Sequence, residues 1–215
     1  MSTAVQDPPQ IRGSNWNDLP PSVQIVAEDD YLPQPSRTGV WIGLAAITMT
    51  FAAFTSALIV SQGSAAVWKH IELPPILFLN TVILLISSCT LEIARRGVAD
   101  YARHERITRS TPLIWLSLTL FLGVCFVGGQ YAAWLQLRSE GLFLATTLGS
   151  SFFYVLTAVH ALHLFGGIAA LTVVIRRFAK QTFSLRKSTM DSTAYYWHFM
   201  SVLWLYLLWI LWLKL

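Results

Sequence analysis

Long stretches without a charged residue alternate with short stretches that carry nearly all of the charge. At about 1.5 Å per residue, a helix of about 20 residues crosses the roughly 30 Å hydrocarbon core of a bilayer. The stretches lack the polar alternation of a barrel strand, so helices are the way to satisfy their backbone groups in lipid. The pattern predicts an all-α integral membrane bundle of five transmembrane helices, at about 40–61, 74–96, 111–137, 143–177 and 193–214.

The fourth uncharged stretch, from residue 141 to 175, is too long for one perpendicular crossing. We therefore expect its helix to begin outside the membrane or to tilt strongly.

Residues 1–39 differ from the rest of the chain. They contain six of the nine prolines, five acidic residues and two arginines, with no apolar periodicity. Such a composition is typical of an extended or disordered segment and not of a secretory signal. The sequence thus divides into a Pro-rich acidic cytoplasmic tail, 1–39, and a transmembrane domain, 40–215.

Basic residues predict the orientation of the helices. If the N-terminus is cytoplasmic, twelve of the 15 Lys and Arg residues fall on the cytoplasmic side. This asymmetry predicts a cytoplasmic N-terminus and a C-terminus on the periplasmic, outer side. The net charge of +4 therefore indicates topology and not a nucleic-acid partner.

The composition, 54% hydrophobic and 12% charged, excludes a soluble enzyme, a disulfide scaffold and a disordered protein. Cys89 and Cys125 lie inside apolar stretches, where we expect small buried apolar side chains.

Few strongly polar side chains lie within the predicted spans, and such groups are costly there. His160 and His163 are three residues apart, so they project from one side of the fourth helix. Their spacing favours hydrogen bonds across helices to Ser, Thr or Asn. It leaves open a haem ligand, paired with a histidine such as His198, and another metal site.

The amides of Asn80 and Gln130 need partners, so both should face the bundle interior. Ser87 and Ser88 follow Asn80 on the same helix face, which favours helix packing over an ion path.

Glu92, Arg95 and Arg96 form a charge cluster at the end of the second helix. The cluster is interpreted as a solvated helix end, with a lipid headgroup or a partner subunit as the alternative contact.

Three stretches together resemble a known family. They are S-F-F-Y-V-L-T-A-V-H-A-L-H-L-F-G-G at 151–167, A-Y-Y-W-H-F-M-S-V-L-W-L at 194–205 and L-N-T-V-I-L-L-I-S-S at 79–88. The T-x-x-H-x-x-H-x-x-x-G block contains Thr157, His160, His163 and Gly167, and the Y-W-H-F block contains Trp197 and His198. The chain resembles cytochrome c oxidase subunit III in its short, five-helix bacterial form.

The resemblance implies a non-catalytic core subunit of a haem–copper terminal oxidase in the bacterial inner membrane, where it supports stability and proton uptake. It implies no cofactor in this chain, with haem and copper in partner subunits I and II, and bound phospholipid as a further ligand. It makes the histidines internal polar groups and not haem ligands. The residues expected to serve helix packing are Asn80, Ser87, Ser88, Gln130, Thr157, His160, His163, Gly167, Trp197 and His198.

The chain departs from the family pattern at three carboxylates, which are replaced by Ile47, Ala133 and Ser201. We therefore expect any contribution to proton uptake to be indirect. The alternatives are a quinol oxidase subunit III, an accessory subunit of nitric oxide reductase, and a haem-binding electron carrier that uses His160 or His163 with His198.

Overall fold

A computed structural model describes residues 35–64, 73–102, 108, 110–180 and 187–215 of the chain. Most of the predicted tail, up to residue 34, lies outside the described residues. Within the described part the secondary structure is helical. The helices are α1 (Pro35–Ser64), α2 (Ile76–Ala102), α3 (Ser110–Ser139), α4 (Leu148–Lys180) and α5 (Lys187–Lys214).

All five helices are long and apolar enough to cross a membrane. The predicted all-α bundle with five transmembrane helices is therefore confirmed. The direction in which the chain crosses the membrane stays a prediction.

Buried positions recur every three or four residues along the helices. In α2 they include Leu77, Asn80, Leu84, Ser87, Leu91, Ala94 and Val98. In α3 they are Pro112, Leu116, Thr119, Gly123, Phe126, Gln130, Ala133 and Leu137. A repeat of seven residues keeps one stripe of a helix facing its neighbour and favours left-handed packing at a small crossing angle.

The helices α2 to α5 pack in a closed order: α3 against α2 and α4, and α5 against α2 and α4. The helix α1 reaches this group through long side chains. Its Phe51 ring lies 5.9 Å from the His163 ring of α4. Its Trp41 ring lies 6.3 Å from the Tyr195 ring of α5.

The turn between α3 and α4 explains why α4 begins at Leu148 and not near residue 143. At the end of α3, Leu142 N donates to Leu137 O and Gly141 N donates to Arg138 O, with Gly141 at a φ of 77°. This pattern closes a helix with a left-handed glycine. Thr147 and Ser150 then exchange backbone-to-hydroxyl hydrogen bonds of 3.1 Å, which start the next helix.

Other helices extend beyond their uncharged stretches. The helix α1 begins at Pro35, before the expected residue 40, and proline is well tolerated as a first helical residue. The helix α2 continues to Ala102 and α5 begins at Lys187, so each extends six residues beyond its expected boundary at that end. An ion pair of 3.1 Å joins Asp191, in the extension of α5, to Arg95 near the expected end of α2.

Candidate functional site

Trp197 of α5 is inserted among three other helices. Its indole occupies space that exists because Gly123 of α3 and Gly167 of α4 lack side chains: a β-carbon would lie 2.7 Å from the indole at Gly123 and 3.3 Å from it at Gly167. Its Nε1 donates a 3.2 Å hydrogen bond to Ser87 Oγ of α2. One side chain therefore contacts α2, α3 and α4.

The residues on either side of Trp197 extend the same connection. The Tyr196 hydroxyl donates to the backbone oxygen of His163 in α4 at 2.8 Å. The Nδ1 atom of His198 lies 2.5 Å from Ser88 Oγ of α2. The Y-W-H-F block thus joins α5 to the T-x-x-H-x-x-H-x-x-x-G block on one side and to Ser87 and Ser88 on the other.

Thr157 joins α4 to α3. Its hydroxyl accepts a 3.1 Å hydrogen bond from Trp134 Nε1 and donates to Phe153 O of its own helix at 2.7 Å.

Asn80 joins α2 to α3. Its Nδ2 atom donates to Phe126 O at 3.2 Å, and the amide fills the space beside Gly129, where a β-carbon would overlap it. Sequence reasoning missed Gly129, because the need for a glycine there depends on which side chain faces it.

A second tryptophan link between α5 and α2 also escaped the sequence reasoning. Trp204 Nε1 donates a 3.0 Å hydrogen bond to Thr81 Oγ1. The signal was available in the sequence, since Trp204 lies seven residues after Trp197 and Thr81 lies six residues before Ser87.

His160 differs from the expectation of a cross-helix hydrogen bond. Its side chain is buried among the rings of Phe51, Phe126 and Trp204, whose centroids lie 6.5, 6.1 and 5.1 Å from its own. Neither ring nitrogen has a hydrogen-bond partner among the described residues. The Gln130 amide is likewise buried, and both of its polar atoms lack a partner among these residues.

The three histidines do not converge on a common space. His163 Nδ1 is 2.8 Å from Val159 O of its own helix. His198 faces Ser88 and Glu92 of α2. His160 packs on Trp204, which lies six residues, or about 9 Å of helix rise, beyond His198. This geometry does not favour a haem held between His160 or His163 and His198.

The charge cluster of α2 is larger than the sequence indicated, because Asp191 of α5 belongs to it. Arg95 contacts both oxygens of Glu92 at 2.8 Å and Asp191 at 3.1 Å. Arg96 Nε lies 2.9 Å from Glu92. His198 Nε2 lies 3.8 Å from the same carboxylate. We call Glu92, Arg95, Arg96 and Asp191 the ionic cluster.

The three positions that depart from the family carboxylates are buried. Ile47 and Ala133 belong to the apolar core, and the Ser201 hydroxyl donates to Trp197 O at 3.1 Å. Among the described residues, no group of three or more His, Cys, Asp or Glu side chains is arranged to hold a metal ion.

The expectation of two buried cysteines is wrong for Cys89. Its side chain is exposed on the chain's surface, and Cys125 is half-buried. The buried stripe of α2 passes through Ser87, Thr90 and Leu91 and leaves position 89 on the outer face.

Known proteins match the helical part of this chain. The sequence profile described as cytochrome c oxidase subunit III matches residues 42–214. The cytochrome c oxidase subunit 3 of Corynebacterium diphtheriae is 32% identical over 147 residues, which cover 64% of this chain and 66% of that protein. The cytochrome bo(3) ubiquinol oxidase subunit 3 of Pseudomonas aeruginosa is 28% identical over 172 residues, which cover 78% and 79%.

A third similar protein comes from another organism. The cytochrome c oxidase subunit 3 of Struthio camelus is 31% identical over 163 residues, or 73% of this chain and 59% of that protein. The matched segment thus spans under two thirds of the Corynebacterium and Struthio relatives.

Proposed function

Because the chain belongs to the cytochrome c oxidase subunit III family, we propose that it is the third subunit of a haem–copper terminal oxidase. It lies beside subunits I and II in the inner membrane of a bacterium, with its N-terminus in the cytoplasm. Haem and copper belong to those partners, and this chain stabilises the subunit that carries out the chemistry. The observation that carries the proposal is that the two family-like sequence blocks interlock around Trp197 within the bundle.

The contribution to proton uptake is indirect. The positions of the absent carboxylates, Ile47, Ala133 and Ser201, are filled by buried apolar or small side chains. Unlike a carboxylate, none of these side chains takes up or releases a proton near neutral pH. The subunit shields the proton entrance of its neighbour and keeps that neighbour rigid.

The test compares the complete oxidase with a complex that lacks this chain, both followed through repeated turnovers by oxygen consumption. The depleted complex should start at a rate close to that of the complete one and lose activity several-fold faster. Adding the wild-type chain back should restore durability. Equal initial and equal sustained rates in the two complexes would refute a supporting role.

A second candidate function, subunit III of a quinol oxidase, differs from the first in the electron donor of the complex. The resemblance of the Y-W-H-F and L-N-T stretches favours the cytochrome c type, whereas the Pseudomonas relative named as a ubiquinol oxidase subunit matches more of this chain than the Corynebacterium one. Purified complex supplied in turn with reduced cytochrome c and with ubiquinol separates them. Oxygen consumption with ubiquinol alone would assign the chain to a quinol oxidase.

At the ionic cluster we propose a contact with an anionic phospholipid headgroup. The exposure of Arg96 supports this contact. Its Nε atom binds Glu92, yet 74% of its side chain remains exposed. Basic residues next to a membrane attract anionic lipid by about 1 kcal/mol each. Phosphatidylglycerol retained by the purified complex should decrease in Arg96→Gln and not in Lys214→Gln, a substitution at the far end of α5. Unchanged retention in Arg96→Gln would contradict the lipid contact.

A further inference from the structure

His160 and Gln130 are buried, and together they have four polar atoms without a hydrogen-bond partner among the described residues. The His160 side chain is 1% exposed and that of Gln130 is 3% exposed. Neither nitrogen of His160 and neither polar atom of the Gln130 amide has a hydrogen-bond partner among the described residues. Buried polar groups in native proteins are normally paired with protein or with ordered water, and a lone one costs about 1–3 kcal/mol.

The two residues lie at the same depth along the neighbouring helices α3 and α4. On one side of them, Gly123 of α3 faces Ile168 of α4. On the other side, Trp134 of α3 donates to Thr157 of α4. Between these two contacts, each residue forward on α3 corresponds to one residue back on α4. Gln130 is therefore level with the helical turn that contains His160.

We propose that His160 and Gln130 together bind an internal water molecule. The two side chains do not hydrogen-bond each other, and the rings of Phe51, Phe126 and Trp204 lie beside the imidazole. Water donates two hydrogen bonds and accepts two, and it pairs with an imidazole nitrogen and an amide at once. Buried water in proteins typically makes about three hydrogen bonds to groups of this kind.

The apolar surroundings of His160 favour a small neutral ligand such as water. Three aromatic rings lie beside His160. His163 illustrates the other solution available to a histidine in α4, because its Nδ1 binds the carbonyl oxygen of the preceding turn. His160 makes no such bond to its own helix, so its nitrogens remain available to a guest.

A high-resolution structure of the complete oxidase tests the proposal directly. We expect a compact density peak about 2.7–3.2 Å from a ring nitrogen of His160 and from the Gln130 amide. The peak should disappear in Gln130→Leu and remain in Gln136→Leu, a matched control at an exposed position of the same helix. A wild-type structure in which protein groups alone bind both ring nitrogens would overturn the proposal, as would an empty site.

A second measurement uses only the wild-type protein, so it does not depend on whether the variants fold. In solid-state NMR of the complex in lipid, magnetisation from long-lived water should reach the His160 ring more strongly than the buried ring of Phe153. Transfer to both rings at the same low level would contradict a bound water.

Discussion

Several contacts between helices pair a glycine on one helix with a larger side chain on another. Gly129 receives the Asn80 amide, and Gly123 and Gly167 receive the Trp197 indole. Lipid tails are as apolar as leucine, so helices in a membrane are held by close packing and by hydrogen bonds between them. Each of these pairs supplies both, because Asn80 and Trp197 also donate hydrogen bonds to a neighbouring helix.

Two adjacent glycines of α3 allow this pairing to be tested. Gly129→Ala places a methyl group in the space of the Asn80 amide, whereas the same methyl at Gly128 meets nothing within 4 Å. Overpacking of this kind costs about 1–3 kcal/mol. Alanine favours a helix over glycine by about 1 kcal/mol, so Gly128→Ala should be neutral or slightly stabilising. Thermal unfolding of the two variants in detergent measures the difference, and equal midpoints would contradict the packing role of Gly129.

The sequence located the polar residues of the core but not all of their partners. His160, Trp197 and Ser87 stand out because polar or aromatic side chains in a recognisable order mark them. Whether an imidazole is paired depends on the neighbouring helix, which is why His198 has Ser88 as a partner and His160 has none among the described residues.

Helix ends follow local hydrogen bonds more closely than they follow hydropathy. The stretch from residue 141 to 147 is uncharged, and for that reason hydropathy predicts that most of it belongs to the fourth helix. The left-handed glycine at 141 and the bonds between Thr147 and Ser150 instead make it a turn. In the opposite sense, ion pairing at Arg95 accompanies the extension of α2 and α5 into charged sequence.

The start of α4 should therefore be sensitive to Thr147. Thr147→Val keeps the shape of the side chain and removes the oxygen that accepts a 3.1 Å hydrogen bond from Ser150 N. Loss of such a capping residue costs about 0.5–2 kcal/mol. Amide hydrogen exchange should therefore accelerate at residues 148–151 in this variant.

Thr146→Val is the matched control for the capping residue. The Thr146 hydroxyl accepts from Phe143 N and donates to Gly141 O, so both of its hydrogen bonds lie within the turn and neither involves an amide of α4. Exchange at residues 148–151 should stay close to the wild-type rate in this variant. Equal acceleration in the two variants, or none in either, would exclude a capping role for Thr147.

The ionic cluster fixes α2 against α5 at the end of the bundle. Arg95 is the shared member, since it binds Glu92 on its own helix and Asp191 on the other. The side chains of Arg95 and Asp191 are 33% and 11% exposed, so their ion pair is partly shielded from solvent.

A double-mutant cycle isolates this link between helices. Asp191→Asn and Arg95→Gln should each destabilise the chain by about 1.5–3 kcal/mol, the range for hydrogen bonds to charged groups. Because the two residues contact each other, the double variant should lose less than the sum of the single losses. Thermal unfolding in detergent gives all four values. Additive losses would show that the pair contributes no coupling between α2 and α5.

At the scale of the whole molecule, α1 has the least close backbone packing of the five described helices. Phe51 contacts the rings of His160 and His163, and Gln62 donates to Lys214 O at 3.3 Å. The other four helices share close backbone packing, so they do not depend on any one long side chain to the same degree. The described part of the chain therefore consists of a tightly packed four-helix group and one helix attached at its side.

Phe51→Ala should release α1 while leaving the four-helix group intact. Removing the ring also removes the contacts with both histidines, and each 1.4 kcal/mol lost increases the detached fraction about tenfold. Cysteines introduced at Trp41 and Tyr195, with Cys89 and Cys125 replaced by alanine, report the docked state through the rate of disulfide formation. That rate should fall several-fold in Phe51→Ala and stay unchanged in Met49→Ala, whose side chain is 73% exposed on the same helix. If Phe51→Ala instead slowed cross-linking no more than Met49→Ala, the other contacts of α1 would be sufficient to hold it. The Phe51 ring would then serve only to pack against His160.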